Sequence, residues 1–550
     1  MELKTNPLYF ALHLHARQRL RTMTSVSSLS LVVLAITAVF YVLRRLLTSK
    51  GNGRPLPPGP KGVPILGNIN DLPKPGELEY QHWLKFKDQY GPISSITVMG
   101  NTFVIISDPQ VAQELMRDRS NIHSSRPGMT FSNMVGWNNA TALVPYSNTW
   151  KLHRTNVTKV ASANTSISMF NKVQETEAAH FLLNLLDRPS DVLEHVRTEA
   201  GSVILKITYG YTTKREKDPL VSLANSTMME FKEATVPGKW IVDVMPFLRH
   251  LPDWFPATGF KKIARSMTEH LRETTDKPYH FVKQQMQAKK ARTSFMSQSI
   301  EQFGTDPEME FVHKWSALAL YLGGSDTSVS AIITFFLAML VFPDVQKKAQ
   351  EELDRVIGSE RLPISADLPR LPYIEAIMKE THRWHPIIPM GIPHSSTEED
   401  IYRGYRIPKG AMLLPNIWWF THDPAVYQDP MAFNPDRHIT TATHKAEPDP
   451  RNFSFGFGRR ICPGRYVADN AIFMTIAQTL SCFDVKKPVV DGKVVEPDVN
   501  FRPGAITEPM PFKVEVRPRS KKHEDLVRKS EEKYPWEESD ADDLESVRWK

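Results

Sequence analysis

The sequence predicts a mainly α-helical unit with a smaller β-rich region, and three observations carry that prediction. Residues 307–342 read as one uninterrupted helix, started by Asp306-Pro307 with Glu308 and Glu310 and stopped by Pro343. At 1.5 Å per residue such a helix is roughly 50 Å long, enough to cross a whole domain. Residues 93–107 alternate around Gly100-Asn101, the pattern of a β-hairpin. Beyond residue 385 the helical pattern gives way to short strand-like runs at 401–405 and 411–419. The 42 prolines in 550 residues imply many interrupted connections, not a simple bundle.

The organisation follows from composition. Residues 1–25 are basic and poor in acid. Residues 26–43 are 18 uncharged, mostly apolar positions ending at Arg44-Arg45, near the lower limit for crossing a bilayer. No small-residue cleavage site follows, so an uncleaved transmembrane anchor is expected. Residues 44–62 are proline-rich and read as a stiff linker. The modest excess of basic residues after the span places the bulk of the chain in the cytosol. Residues 63–518 read as one globular unit. The last 32 residues, 519–550, carry 8 basic and 10 acidic side chains and are expected to be disordered.

Two cysteines, Cys462 and Cys482, argue against a disulfide framework and for a reducing compartment. The net charge of +7 is scattered, with no basic run interleaved with aromatics, so no nucleic-acid partner is expected.

The chemistry concentrates in Phe455-Gly456-Phe457-Gly458-Arg459-Arg460-Ile461-Cys462-Pro463-Gly464. One cysteine stands between a glycine-rich turn and a long apolar helical run, a setting that suits an iron-binding thiolate. Gly458 and Gly464 lack a Cβ and would let the main chain approach a flat cofactor. Pro463 suits the first turn of the helix. Arg460 is placed to reach a carboxylate on the same cofactor. The spacing Phe455-x-x-Gly458-x-Arg460-x-Cys462-x-Gly464 resembles the heme-binding loop of the cytochrome P450 family. The resemblance extends in order through residues 26–518, most like fungal members that tailor secondary metabolites.

It implies the cytochrome P450 fold with a single N-terminal transmembrane helix, heme b as cofactor and Cys462 as the proximal iron ligand. In the middle of the long helix stands Gly323-Gly324-Ser325-Asp326-Thr327, whose two glycines need a reason, a cofactor's or ligand's close approach or a packing kink. Asp326 and Thr327 resemble the family's catalytic pair that delivers protons to reduced dioxygen. Trp150 and Arg154 share one helix face. With Arg460 and His394 they resemble the donors that pair with the heme propionates. Glu380 and Arg383 are three apart on a helix and can pair. The family adds Arg437, making a buried structural network behind the cysteine loop.

No G-x-G-x-x-G fingerprint follows a strand, so electrons are expected from a separate protein. A basic face of Lys151, His153, Arg459 and Arg465 suits an acidic NADPH-cytochrome P450 reductase, with cytochrome b5 as runner-up donor. The implied location is the endoplasmic reticulum membrane, single-pass, with the catalytic domain cytosolic.

The implied reaction inserts one atom of O2 into a lipophilic small molecule of terpenoid, polyketide or indole type. Phe131, Trp137, Phe247, Trp254, Leu318 and Ile388 are expected around it. Two other classes compete: a reductase-independent heme-thiolate isomerase or dehydratase, and a non-enzymatic membrane heme sensor. The Asp326-Thr327 pair argues against both.

Overall fold

A computed structural model describes residues 53–549 apart from 75, 163, 237 and 305, together with 34, 37–39 and 41. Those last positions are helical and exposed; the rest of the expected anchor, and the segment before it, lie outside the described residues.

The spine is α6 (Pro307–Val341), preceded in chain order by α1 (Asn148–Ser162), α2 (Asn164–Asp187), α3 (Val192–Tyr209), α4 (Pro219–Ala234) and α5 (Phe260–Gln287). It begins as the sequence predicts. Asp306 Oδ1 accepts from the Glu308 and Met309 N–H groups, at 2.8 and 3.2 Å, and Pro307 occupies the first turn. Among the described residues α6 alone is long and apolar enough to cross a membrane, but it is mostly buried and packs along α3 and α1. It is a core helix. Its flanks divide the interior in two. One apolar core joins α2, the C-terminal half of α6, α7 (Pro372–Trp384) and α8 (Arg465–Cys482). The other joins α4, α5 and the N-terminal half of α6.

The β-rich region is small. β1 (Ile93–Val98) and β2 (Asn101–Ile106) form the expected hairpin, but its turn is Met99-Gly100, one residue earlier than Gly100-Asn101. Both turn residues have positive φ, 46° and 81°, as a type I′ turn demands. The sheet continues through β4 (Met412–Pro415), parallel to β2, to β3 (His394–Ser395). The expected strand at 401–405 is instead a hairpin folded at Arg403-Gly404, both at positive φ. The expected strand at 411–419 ends at Pro415, where Asn416 caps a short helix, Ile417–His422.

Two boundaries are corrected by packing. The proline-rich segment docks on β1 instead of standing free: Ser95 N–H donates to Pro58 O and Ser95 Oγ to Pro57 O, at 2.8 and 2.6 Å. A proline has no N–H to donate, but its carbonyl can still satisfy a strand edge. The C-terminal segment is ordered, not disordered. It forms α9 (Lys521–Lys533) and a short α10 (Ala541–Glu545), with Val527, Leu544 and Val547 buried. Apolar residues spaced among the charges supply the burial, and the charges pair with distant partners, as Arg519 does with Asp354 at 2.6 Å.

Behind the cysteine loop lies a fully buried charge cluster. Glu380 accepts from Arg383 Nε and Nη2 (2.8 and 2.9 Å), Arg437 Nε (3.1 Å), the Asn434 N–H (2.8 Å) and His438 Nε2 (2.9 Å). The sequence reading missed His438, and also Glu447, which takes Arg437 Nη1 at 2.7 Å. Burial raises the Glu380 pKa, but His438, Arg383 and Arg437 outweigh it and hold the carboxyl below its usual range. Its stabilisation is therefore present above the ordinary carboxylate pKa and lost as pH falls through the lowered one. Arg383→Ala is expected to lower stability by about 3–5 kcal/mol, because it strands a buried carboxylate. Urea unfolding at pH 7 measures this, and an unchanged midpoint would remove the network from the fold's support.

Candidate heme-binding site

The cysteine loop is closed by its own backbone: Cys462 N–H donates to Phe455 O at 2.8 Å, and residues 458–460 form a single 3-10 turn. Phe455 packs edge-on to His382 of α7, ring centroids 5.2 Å apart. Pro463 stands just before α8, not inside its first turn, and Gly464 is the N-cap residue. The two glycines expected against a cofactor separate. A Cβ on Gly464 would meet nothing within 4 Å, whereas one on Gly458 would strike Met116 O at 2.2 Å. Gly458, at φ +52°, is thus required by packing against residues 114–118.

Cys462 is half-buried, and burial pushes its thiol pKa up, opposed by the Gly464 N–H and by the cations Arg154 and Arg465. A thiol so placed becomes a thiolate readily when a metal cation bonds to it. Cys482, at the end of α8, is fully buried among apolar residues and has a packing role.

Three guanidiniums surround the loop. Arg154, on α1, donates to Ile461 O and so ties that helix to the loop. Arg460 lies over the Trp150 ring, 4.4 Å from its centroid, and donates to the carbonyls of Ser124, Thr141 and Val144. The Trp150 ring face thus supports Arg460. The third, Arg126, was missed by the sequence reading. It is buried and donates to Ala142 O, Ile392 O and Pro393 O at 2.6–2.8 Å. No carboxylate lies within ion-pairing distance of any of the three among the described residues. Burial depresses all three pKa values, Arg460 to about 9, and Arg126 and Arg460 repel one another. A guanidinium keeps its proton regardless, so the arrangement calls for an anionic partner. A flat, apolar molecule with two carboxylates and a metal for Cys462 fits these groups, and heme b is such a molecule.

His394 falls outside that set. Its Nδ1–H donates to His123 O at 2.7 Å, and burial with the nearby Arg126 holds its pKa well below the usual value. One ring nitrogen is thus taken by the main chain, and Arg126 stands beside the ring as a further cation. His153 is also corrected. It is buried, with its pKa lowered to about 4 by burial, and the exposed basic residues near the loop are Lys151 and Arg459, with Arg465 partly exposed.

On α6 the two glycines also separate. A Cβ on Gly324 would meet Ile204 Cγ1 of α3 at 2.8 Å, so that glycine serves helix packing. A Cβ on Gly323 would meet nothing within 4 Å. Asp326 lies 3.1 Å from Lys232 Nζ of α4, and its pKa is raised by burial and only partly restored by Lys232. Thr327 Oγ1 donates to Gly323 O at 2.7 Å. Of the apolar residues expected around a substrate, Phe131, Trp137 and Leu318 are buried in the α4–α5–α6 core, with Ile388 packed against it. Phe247 and Trp254 are instead 55% and 80% exposed, because residues 246–259 run over the surface.

The sequence matches the family model described as Cytochrome P450 over residues 57–516. It is 43% identical to "Cytochrome P450 monooxygenase claR" of Ampulloclitocybe clavipes, over 96% of this chain and 97% of that protein. It is 42% identical to "Cytochrome P450 monooxygenase ppsD" of Aspergillus oryzae, over 94% and 99%. It is also 40% identical to the "O-methylsterigmatocystin oxidoreductase" of Aspergillus flavus, over 92% and 95%. With these matches spanning nearly its whole length, the chain belongs to the cytochrome P450 family, whose members carry heme b and take electrons from a redox partner.

Proposed function

We propose that the chain is a heme-thiolate monooxygenase that inserts one oxygen atom from O2 into a lipophilic small molecule, with Cys462 as the iron ligand. The observation that carries this reading is the Cys462 thiol set among three guanidiniums that lack carboxylate partners. The naming of its relatives as monooxygenases supports it.

When bound, the heme supplies the reductive activation of O2. The protein's own groups do the rest. Arg126, Arg154 and Arg460 hold the propionates by charge-assisted hydrogen bonds, with the Trp150 ring supporting Arg460. Asp326 and Thr327 are the proton donors. A carboxyl whose pKa burial raises holds a proton to higher pH than an ordinary carboxylate does, and so has one to donate. The relay is latched: Asp326 is turned to Lys232, and the Thr327 hydroxyl is turned to Gly323 O. Rotation of both side chains about their own bonds connects it.

Electrons come from an NADPH-cytochrome P450 reductase docking on Lys151, Arg459 and Arg465, with cytochrome b5 as the second donor. Residues 26–43 anchor the chain in the endoplasmic reticulum membrane with the catalytic domain in the cytosol. The aromatic and aliphatic core around Phe131, Trp137 and Leu318 suits a terpenoid, polyketide or indole-type substrate of fungal secondary metabolism.

Two experiments test the assignment. Arg126→Leu removes a buried cation without a carboxylate but also its bonds to Ala142 O, Ile392 O and Pro393 O, so apo stability is measured alongside, and heme affinity is expected to fall in protein that remains folded. Loss of a charge-assisted contact of about 1.5–3 kcal/mol predicts a roughly ten- to hundredfold weaker heme titration; equal heme affinity would free Arg126 from the propionates. Thr327→Ala, assayed with reductase and NADPH, is expected to raise the share of NADPH lost as hydrogen peroxide. Unchanged coupling would take Thr327 out of the mechanism.

A further inference from the structure

The family match ends at residue 516, yet the chain beyond it is folded against two separate parts of the molecule. Its first part is fixed to the α2–α3 side. Val527 is buried in the core that includes α2 and α8, and Tyr534 O accepts from His180 Nε2 at 3.0 Å. Trp536 stacks on His180, ring centroids 3.9 Å apart, the Arg215 guanidinium lies 4.2 Å from the Trp536 ring centroid, and Lys206 of α3 pairs with Glu537 at 2.6 Å. Asp540 then exchanges hydrogen bonds with Thr212, Thr212 N–H to Oδ2 at 2.7 Å and Asp540 N–H to Thr212 O at 2.9 Å.

Its second part is fixed to the end of α5. Asp540 pairs with Arg292 at 2.5 Å, Asp543 Oδ2 accepts from Gln285 Nε2 at 2.9 Å, and Gln284 Nε2 donates to Ser546 Oγ at 2.8 Å. Leu544 and Val547 are buried in the same apolar core as Tyr279, Phe281 and Val282 of that helix. All these contacts lie at or beyond the last turns of α5.

Just before them, Pro278 lies inside α5, which runs through it as one helix. An interior proline removes one backbone hydrogen bond and makes a natural bending point. The helix is 28 residues, about 42 Å, and its other end meets a surface segment where Phe247, Trp254 and Phe255 are exposed. We propose that residues 534–549 are a strap that holds the end of α5 after Pro278 to the α2–α3 side, making Pro278 the hinge about which residues 260–277 lift to admit substrate. The proposal rests on the reading of a buried heme site beneath α4 and α5. A lipophilic molecule reaches such a site only when a covering element moves, so an anchored hinge sets the rate of exchange.

The test uses the full, heme-loaded chain, the double variant D543A/L544A, a chain ended after Ser539, and Pro278→Ala. Hydrogen exchange is read over residues 279–287, and the dissociation rate of phenylimidazole from the heme is read by stopped flow. Loss of the strap is expected to raise exchange there about tenfold and to change dissociation several-fold, while Pro278→Ala, with the strap intact, slows dissociation. Raised exchange confined to residues 534–549, or raised exchange at 279–287 with unchanged dissociation in all variants, would overturn the strap. Failure of phenylimidazole to bind even the parent would count against the heme reading, and the exchange over 279–287 would still decide whether the strap holds α5.

Discussion

Glu380 is a carboxylate without solvent, and the geometry of the site depends on how it is held. It joins α7, through Arg383, to residues 434–438, through Asn434, Arg437 and His438. Arg383 and Arg437 also donate to carbonyls of residues 421–432, so one cluster of charges shapes the chain that leads toward the cysteine loop. A charge so far from water is tolerated only because every oxygen lone pair is used. The cluster acts by position: it fixes α7 against residues 421–438.

The opposite arrangement holds around Cys462. There the cations Arg126, Arg154 and Arg460 have carbonyls as partners and no carboxylate among the described residues. Burial and mutual repulsion depress their pKa values, and the folded protein bears that cost without an internal counter-charge. A structural network would supply its own acids, as Glu380 and Glu447 do for Arg437. A binding site leaves that role to the ligand. The contrast between the two clusters, one with its own carboxylates and one with carbonyl partners alone, distinguishes scaffold from candidate site on physical grounds.

The parts that were legible in the sequence are those whose evidence is local. The ten residues around Cys462, the capped helix beginning at Asp306-Pro307 and the Glu380–Arg383 spacing all lie within one turn or one helix. What was missed depends on residues brought together by the fold. Arg126 stands alone before Pro127, and two of its three carbonyl partners lie 266 and 267 positions away. The bond from His394 Nδ1 to His123 O spans 271 positions, and so could not be read from the sequence either. Composition misled twice. The charged C-terminal segment has partners such as His180, 354 positions away, and aromatic residues 247 and 254 lie on the surface. The two glycines on α6 could not be told apart from sequence, because their difference is the presence of Ile204 beside only one of them.

The central claim is that Cys462 presents a thiolate to a heme iron. It is tested most directly by the reduced, carbon-monoxide difference spectrum of membranes from cells expressing the full chain, beside Cys462→Ala. The account predicts a strongly red-shifted Soret band in the parent that is absent from the variant. Heme incorporated into the parent without that shift would contradict it, since the iron would then have a ligand other than the Cys462 thiolate.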